Sequence, residues 1–302
     1  MSADRTATTA IVFHAADGTP LAGTVYPPAA APRVPVLVAG ALGVPQRFYD
    51  PFARWLAARG HPTMCFDPRG IGASRSLRHR RSLRGLEADM LTWARQDFAA
   101  AVARLADAHG GGPVQVIGHS LGLHHAAMTD AATQRRIAGV VGVASGSGHW
   151  RDWHPSSRRL APLMLHVAGP LLTPLFGYFP GRRIGMVGDL PAGVMRQWSR
   201  WCRHPEFAWG AEPARIRPAL EAARFPVVAY SFTDDEAMTQ ACTRTLLAAL
   251  PNAPSVLVRV SPQEVGMVRI GHLGAFRSGA ETGLWPRLAS HLADVGEDLP
   301  PP

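Results

Sequence analysis

An α/β fold, with a mostly parallel central sheet and helices on both faces, is the architecture that this 302-residue sequence predicts. Three observations carry the prediction. Short apolar runs such as residues 35–40 (PVLVAG) and 137–143 (IAGVVGV) have the pattern of strands buried on both sides. Between them lie segments whose apolar residues recur every three or four positions, as on one face of a helix. Their alternation along the chain implies right-handed crossovers joining parallel strands.

The elements follow in order. Residues 9–13 and 21–26 flank Asp17-Gly18, a hairpin signal. Residues 35–40 are the first interior strand, and residues 48–58 form a helix that ends at Gly60. Residues 61–66 are the next strand and lead into Asp67-Pro68-Arg69-Gly70-Ile71-Gly72. The clearest helix spans residues 86–108, where Met90, Ala94, Phe98, Ala101 and Leu105 draw one apolar stripe. A strand over residues 113–117 (PVQVI), a helix from Leu121 and the strand over 137–143 come next.

The alternation then breaks over residues 146–215, which hold five of the eight tryptophans. It resumes with a strand over 226–231, a helix near 236–250, a strand over 255–260 and a last helix over 282–293. The expected organisation is therefore one core domain, residues 1–145 and 216–302, carrying a helical lid, residues 146–215. Residues 160–179 are apolar enough to raise a membrane span, but Pro162, His166, Pro170 and Pro174 interrupt them and arginines flank both ends. Two short helices folded over the core are expected there, a composition compatible with peripheral contact with lipid.

The N-terminal residues contain no apolar run of signal-peptide length, so a cytoplasmic location is expected. Three widely spaced cysteines (Cys65, Cys202, Cys242) argue against a disulfide framework or zinc site. The net charge of +9 comes from 31 arginines and no lysine, scattered through the chain without a nucleic-acid motif, so no nucleic-acid partner is expected. One local cluster, Arg75, Arg78, Arg80, Arg81 and Arg84, reads either as a solvated loop or as a contact for an anion.

Residues 118–122 (GHSLG) read G-x-S-x-G between the strand over 113–117 and a helix. Glycines on both sides permit a sharp turn that pushes the Ser120 hydroxyl out of the backbone path. A serine hydroxyl needs an imidazole to take its proton and a carboxylate to orient that imidazole. Both groups belong on loops after later strands, at the carboxyl edge of the sheet. The strand over 226–231 runs into an acidic turn, Asp234-Asp235-Glu236, and the loop after 255–260 ends in Ile270-Gly271-His272-Leu273-Gly274. His272 is the base candidate. Asp235 is the acid candidate with Asp234 as the alternative, the other aspartate then capping the following helix.

For the negative charge formed on attack, the candidate donors are the N–H groups of Leu121, at a helix N-terminus, and Ala41, in the turn Gly40-Ala41-Leu42-Gly43. His124 and His125 lie four and five residues past Ser120, but no carboxylate joins them, and packing rather than metal binding is their expected role. No metal or organic cofactor is implied, because no glycine-rich loop has the spacing of a phosphate cradle.

The elbow, the turn D-P-R-G-I-G-A-S and the late G-H together resemble the α/β-hydrolase superfamily, and within it the lysophospholipase and serine-aminopeptidase-like branch. Further segments, among them V-A-S-G-S-G-H-W, F-G-Y-F-P-G and R-I-G-H-L-G-A-F, are similar to a bacterial group of α/β-hydrolases known mainly by sequence. The resemblance implies Ser120 as nucleophile, Asp235 or its neighbour as acid, His272 as base and residues 146–215 as lid. Two positions depart from the pattern. Ala39-Gly40 stands where His-Gly is usual, and Leu123 replaces a small residue, which is expected to crowd helix against sheet.

The activity expected is hydrolysis of a small-molecule carboxylic ester, its acyl group hydrophobic or aromatic given the apolar lid. An acyltransferase using the same triad is one competitor, and a non-catalytic lipid- or partner-binding protein on the same fold is the other.

Overall fold

The structure is a computed structural model and describes residues 7–185 and 188–293. In chain order its strands are β1 Thr9–His14, β2 Pro20–Tyr26, β3 Val36–Ala39, β4 Thr63–Phe66, β5 Val114–His119, β6 Ile137–Val143, β7 Tyr178–Phe179, β8 Leu190–Pro191, β9 Val227–Phe232 and β10 Ser255–Val260. Eight of them form one sheet in the order β1-β2-β4-β3-β5-β6-β9-β10, with β7 and β8 paired separately. β1 and β2 form the antiparallel hairpin expected around Asp17-Gly18, and β2 also meets β4 antiparallel. Within this sheet every pairing from β4 to β10 is parallel, and the separate β7–β8 pair is antiparallel. β3, β4, β5 and β9 are buried along their whole length, because helices cover the sheet on both faces.

The chain passes from β3 to β4 on one side and later to β5 on the other. The sheet therefore changes direction between β3 and β5, the place where a crevice opens at the carboxyl edge. Helix Asp50–Ala58 covers one face, together with Leu284–Ala293, through the Phe52, Trp55 and Trp285 rings. On the other face lie the helical run over residues 90–108 and helix Leu121–Met128. The run over 90–108 buries all five residues of its apolar stripe. It begins four residues later than the periodicity predicts because Asp89 caps it, accepting Thr92 N–H at 2.7 Å. Its middle, Trp93–Phe98, is wound as a π-helix.

Between β6 and β9 the chain inserts helices Pro155–Phe176, Ala192–Arg203, Phe207–Ala211 and Pro213–Ala222, the last running across the expected boundary at residue 215. The two short helices expected over residues 160–179 are instead one helix of 22 residues, Pro155–Phe176. Its turn Leu163–Ala168 is π-wound, and there the partner of the Leu165 carbonyl would be the N–H five residues on, which Pro170 lacks. Ser199 Oγ donates to that carbonyl at 3.1 Å and so carries the helix past the proline. The buried face of this helix is Ala161, Leu165, Gly169 and Thr173.

The insertion is fastened to the core. Gln197 Oε1 accepts the Met90 N–H at 2.6 Å, which satisfies an orphan donor at the start of the run over 90–108. Glu212 gathers Gln197, Trp201, Arg200 and Arg215. Although burial opposes its charge, these hydrogen bonds hold its carboxyl down at about 2.

Candidate active site

Ser120 sits between β5 and helix Leu121–Met128 with φ 52° and ψ −104°, a left-handed conformation that a residue with a Cβ adopts only under constraint. The constraint is close packing. A Cβ at Gly118 would lie 2.5 Å from Leu123 N, and one at Gly122 would lie 2.2 Å from Ala39 O, so both glycines are required. Leu123 is fully buried, and the crowding expected from it is relieved on β6: a Cβ at Gly142 would lie 2.3 Å from Leu123 Cδ1.

The structure brings Ser120, His272 and Asp235 together. Ser120 Oγ lies 3.1 Å from His272 Nε2, and His272 Nδ1 lies 3.0 Å from Asp235 Oδ2. The Asp235 carboxylate is buried, and its Oδ1 also accepts the N–H groups of Ala237 at 2.7 Å and Met238 at 2.9 Å. With a carboxylate at Nδ1, that nitrogen carries the imidazole proton and leaves the Nε2 lone pair facing the serine hydroxyl.

Asp234 does not cap the following helix. That helix starts at Gln240, where Thr239 Oγ1 accepts the Cys242 N–H, so the aspartate is too far upstream. Asp234 Oδ2 accepts the N–H groups of Ile270 at 2.9 Å and Gly271 at 3.1 Å instead, and Glu236 Oε2 accepts the His272 N–H at 3.0 Å. Three successive carboxylates after β9 thus hold three successive residues of the loop after β10.

Leu121 opens its helix, where the first N–H groups have no intrahelical partner and point toward the elbow. Ala41 is placed differently from expectation. Its N–H donates to Tyr49 Oη at 2.8 Å, because the phenol reaches back into the turn after β3. Tyr49 Oη is also 2.8 Å from His119 Nδ1, and His119 Nε2 is 2.9 Å from the His272 carbonyl. A carbonyl only accepts, so Nε2 donates to it, Nδ1 accepts from the phenol, and the phenol oxygen accepts from Ala41. Burial first, and then the neighbouring His272, push the His119 imidazole down to about 3. It stays neutral, as this chain of donors demands. Neither Tyr49 nor His119 stands out in the sequence, since no spacing marks a phenol that returns to a turn eight residues upstream.

His124 and His125 are fully buried. His124 Nε2 is 2.9 Å from the Gly146 carbonyl, and the His125 ring packs against Trp93 and Phe98. Burial pushes them down to about 4 and about 3.

Residues 30–184, just over half of the chain, match the family described as serine aminopeptidase, S33. A soluble variant of monoglyceride lipase from Saccharomyces cerevisiae, solved with a substrate analogue, is similar over 98% of this chain and 97% of its own, at TM-score 0.66 and 16% identity. A putative lipase from Acinetobacter baumannii is similar over 96% of this chain and 92% of its own, at TM-score 0.59 and 14% identity. A thermostable carboxyl esterase from Bacillus coagulans is similar over 84% of this chain and 90% of its own, at TM-score 0.58 and 14% identity. No curated protein sequence matches the chain. The fold, the elbow and the family match agree: the chain belongs to the serine aminopeptidase, S33 family and has the α/β-hydrolase fold.

Proposed function

We propose that the protein is a serine hydrolase that cleaves a small-molecule carboxylic ester through an acyl-enzyme. The observation that carries this reading is the continuous line from Ser120 Oγ through His272 to Asp235, with separations of 3.1 and 3.0 Å. Ser120 Oγ attacks the ester carbonyl carbon while its proton passes to His272 Nε2. The buried Asp235 carboxylate stabilises the imidazolium. Leu121 N–H and the turn after β3 receive the oxyanion, Ala41 exchanging its phenol partner for the new charge. Collapse of the tetrahedral intermediate expels the alcohol, which takes the proton from His272. Water then enters by the same steps and releases the acid.

An ester suits the site better than a peptide with a free amine. Of the four acidic residues between 146 and 215, Asp189 pairs with Arg75, Glu206 with Arg217 and Glu212 with Arg200 and Arg215, which leaves Asp152 and no free acidic pair to hold an ammonium. The insertion acts in this reading as an apolar lid over the acyl group. A fluorophosphonate probe should label Ser120 in the folded protein. Ser120→Ala should lower kcat/KM on p-nitrophenyl esters by at least about a thousandfold. An unlabelled serine, or aminoacyl anilides cleaved faster than every ester, would refute the proposal.

Peripheral contact with an anionic bilayer belongs to the same reading. Leu160, Leu163, Val167, Leu171 and Leu175 are each at least half exposed and form one stripe along helix Pro155–Phe176, with exposed Arg158, Arg159, Arg182 and Arg183 at its two ends. Apolar area framed by cations fits an acidic lipid surface. The protein should co-sediment with phosphatidylglycerol vesicles and much less with phosphatidylcholine vesicles, and Leu163→Asp with Leu171→Asp should lower phosphatidylglycerol binding to the phosphatidylcholine level; a double variant that binds phosphatidylglycerol vesicles as well as the parent would rule this face out.

A further inference from the structure

Beside the turn after β3 lies a cavity of about 850 Å³ whose walls carry Arg47, Arg75, Arg80 and Arg182, with Asp189 as the acidic group among its lining residues. Its wall includes Gly43 and Val44, and Gly43 is two residues past Ala41. Two residues of extended chain span at most about 7 Å, so the cavity starts close to where the oxyanion would form.

The charges in it are unbalanced. Arg75 is committed: its Nε donates to the Gly70 carbonyl at 3.0 Å, and its terminal nitrogens lie 3.4 Å from Asp189 Oδ2. Asp189 also accepts the Arg182 backbone N–H at 3.1 Å, which fixes that residue at the cavity wall. The guanidinium groups of Arg47, Arg80 and Arg182 have no carboxylate within ion-pair distance among the described residues. Four guanidinium groups therefore share one cavity whose lining carboxylate, Asp189, is buried against Arg75. Asp67 is buried behind the wall, where Gln46 and Ala73 supply its hydrogen bonds and the charge of Arg47 reaches it without an ion-pair contact. Like charges converging on one space raise its potential, and a planar fork of N–H donors matches the oxygens of a phosphate.

We propose that this arginine-lined cavity binds a phosphate group carried by the ester substrate, which restricts the substrate class to phosphorylated esters. The proposal rests on the ester-hydrolase reading above. Substrate spans the two places, its carbonyl at Ser120 and its phosphate past Gly43. The arginine cluster seen in the sequence then splits by role, with Arg75 and Arg80 lining the cavity, while Arg84 Nε donates to the Phe176 carbonyl and ties the loop to the insertion.

Calorimetric titration of the whole protein with glycerol 3-phosphate, and with glycerol as control, tests the cavity without any variant. Binding of the first and not the second is expected. Arg80→Gln combined with Arg182→Gln should weaken that binding by about tenfold or more, with the thermal unfolding midpoint checked in parallel. The ratio of kcat/KM for 1-octanoylglycerol 3-phosphate to that for 1-octanoylglycerol should fall by a similar factor. Phosphatidate vesicles compared with phosphatidylglycerol vesicles of equal charge distinguish the source: a preference for phosphatidate that is lost in the double variant supports the same site with a lipid headgroup. Folded protein that binds neither form, or that binds both as well after the double substitution, overturns the proposal. Fluorophosphonate labelling of Ser120 in the same preparation keeps the two readings apart, because labelled protein that ignores phosphate refutes the cavity assignment alone.

Discussion

Tyr49 Oη accepts a hydrogen bond from Ala41 N–H and gives one to His119 Nδ1, inside a nest formed by the Phe276 and His119 rings. Tyr49→Phe keeps the ring and leaves both partners unpaired in a buried place. The expected loss is about 2 kcal/mol of stability, read as a lower urea midpoint at unchanged slope, and a variant as stable as the parent would show that water replaces the phenol. The same residue marks where sequence reading stops. Ser120, Asp235 and His272 are legible because each follows a strand at the same sheet edge and the turns around them are small or acidic. Tyr49 is not, because its role depends on a side chain crossing from one element to the turn of another. The choice between Asp234 and Asp235 also waits on geometry, since neighbouring carboxylates on one turn point in different directions.

At the scale of elements, helix Leu121–Met128 lies against the sheet at a distance set by pairs of residues that are distant in sequence. Leu123 fills the space left by Gly142 on β6. Gly142→Ala should therefore destabilise the protein by about 1–3 kcal/mol through overpacking, and Leu123→Ala by about 2–5 kcal/mol through the cavity it leaves. The double variant should lose less than the sum, because the new methyl meets the vacated space; additive losses in chemical denaturation would disprove the coupling. A lone sequence shows Leu123 as an oversized residue and hides the glycine that accommodates it. The helix Pro155–Phe176 illustrates the same limit. Its prolines argue locally for a break, and a hydroxyl from another helix overrides them. The hairpin and the parallel run of strands, by contrast, follow from local pattern and the alternation along the chain, and are readable.

For the molecule as a whole, the buried imidazoles set how stability responds to acid. Burial lowers His119, His124 and His125 to about 3, 4 and 3. The unfolded value is about 6.5, so across the interval between these values the unfolded chain binds more protons than the folded one. Their stabilisation is complete above about pH 6.5 and is lost as pH falls toward the folded values. From pH 7 to pH 5 each should remove about 2 kcal/mol, measurable as the drop in unfolding free energy between the two buffers. His125→Phe, which suits the aromatic pocket of Trp93 and Phe98, should cut that drop by about 2 kcal/mol; an unchanged drop would mean that His125 is already charged in the folded state. Cohesion also reaches the site through the grip of Asp234, Asp235 and Glu236 on residues 270–272. Opening of either loop must break the other's contacts, so the two behave as a single cooperative unit. Warming then finds no hinge at which the imidazole could swing away from its carboxylate while both loops stay folded, and the His272–Asp235 contact and local structure fail together.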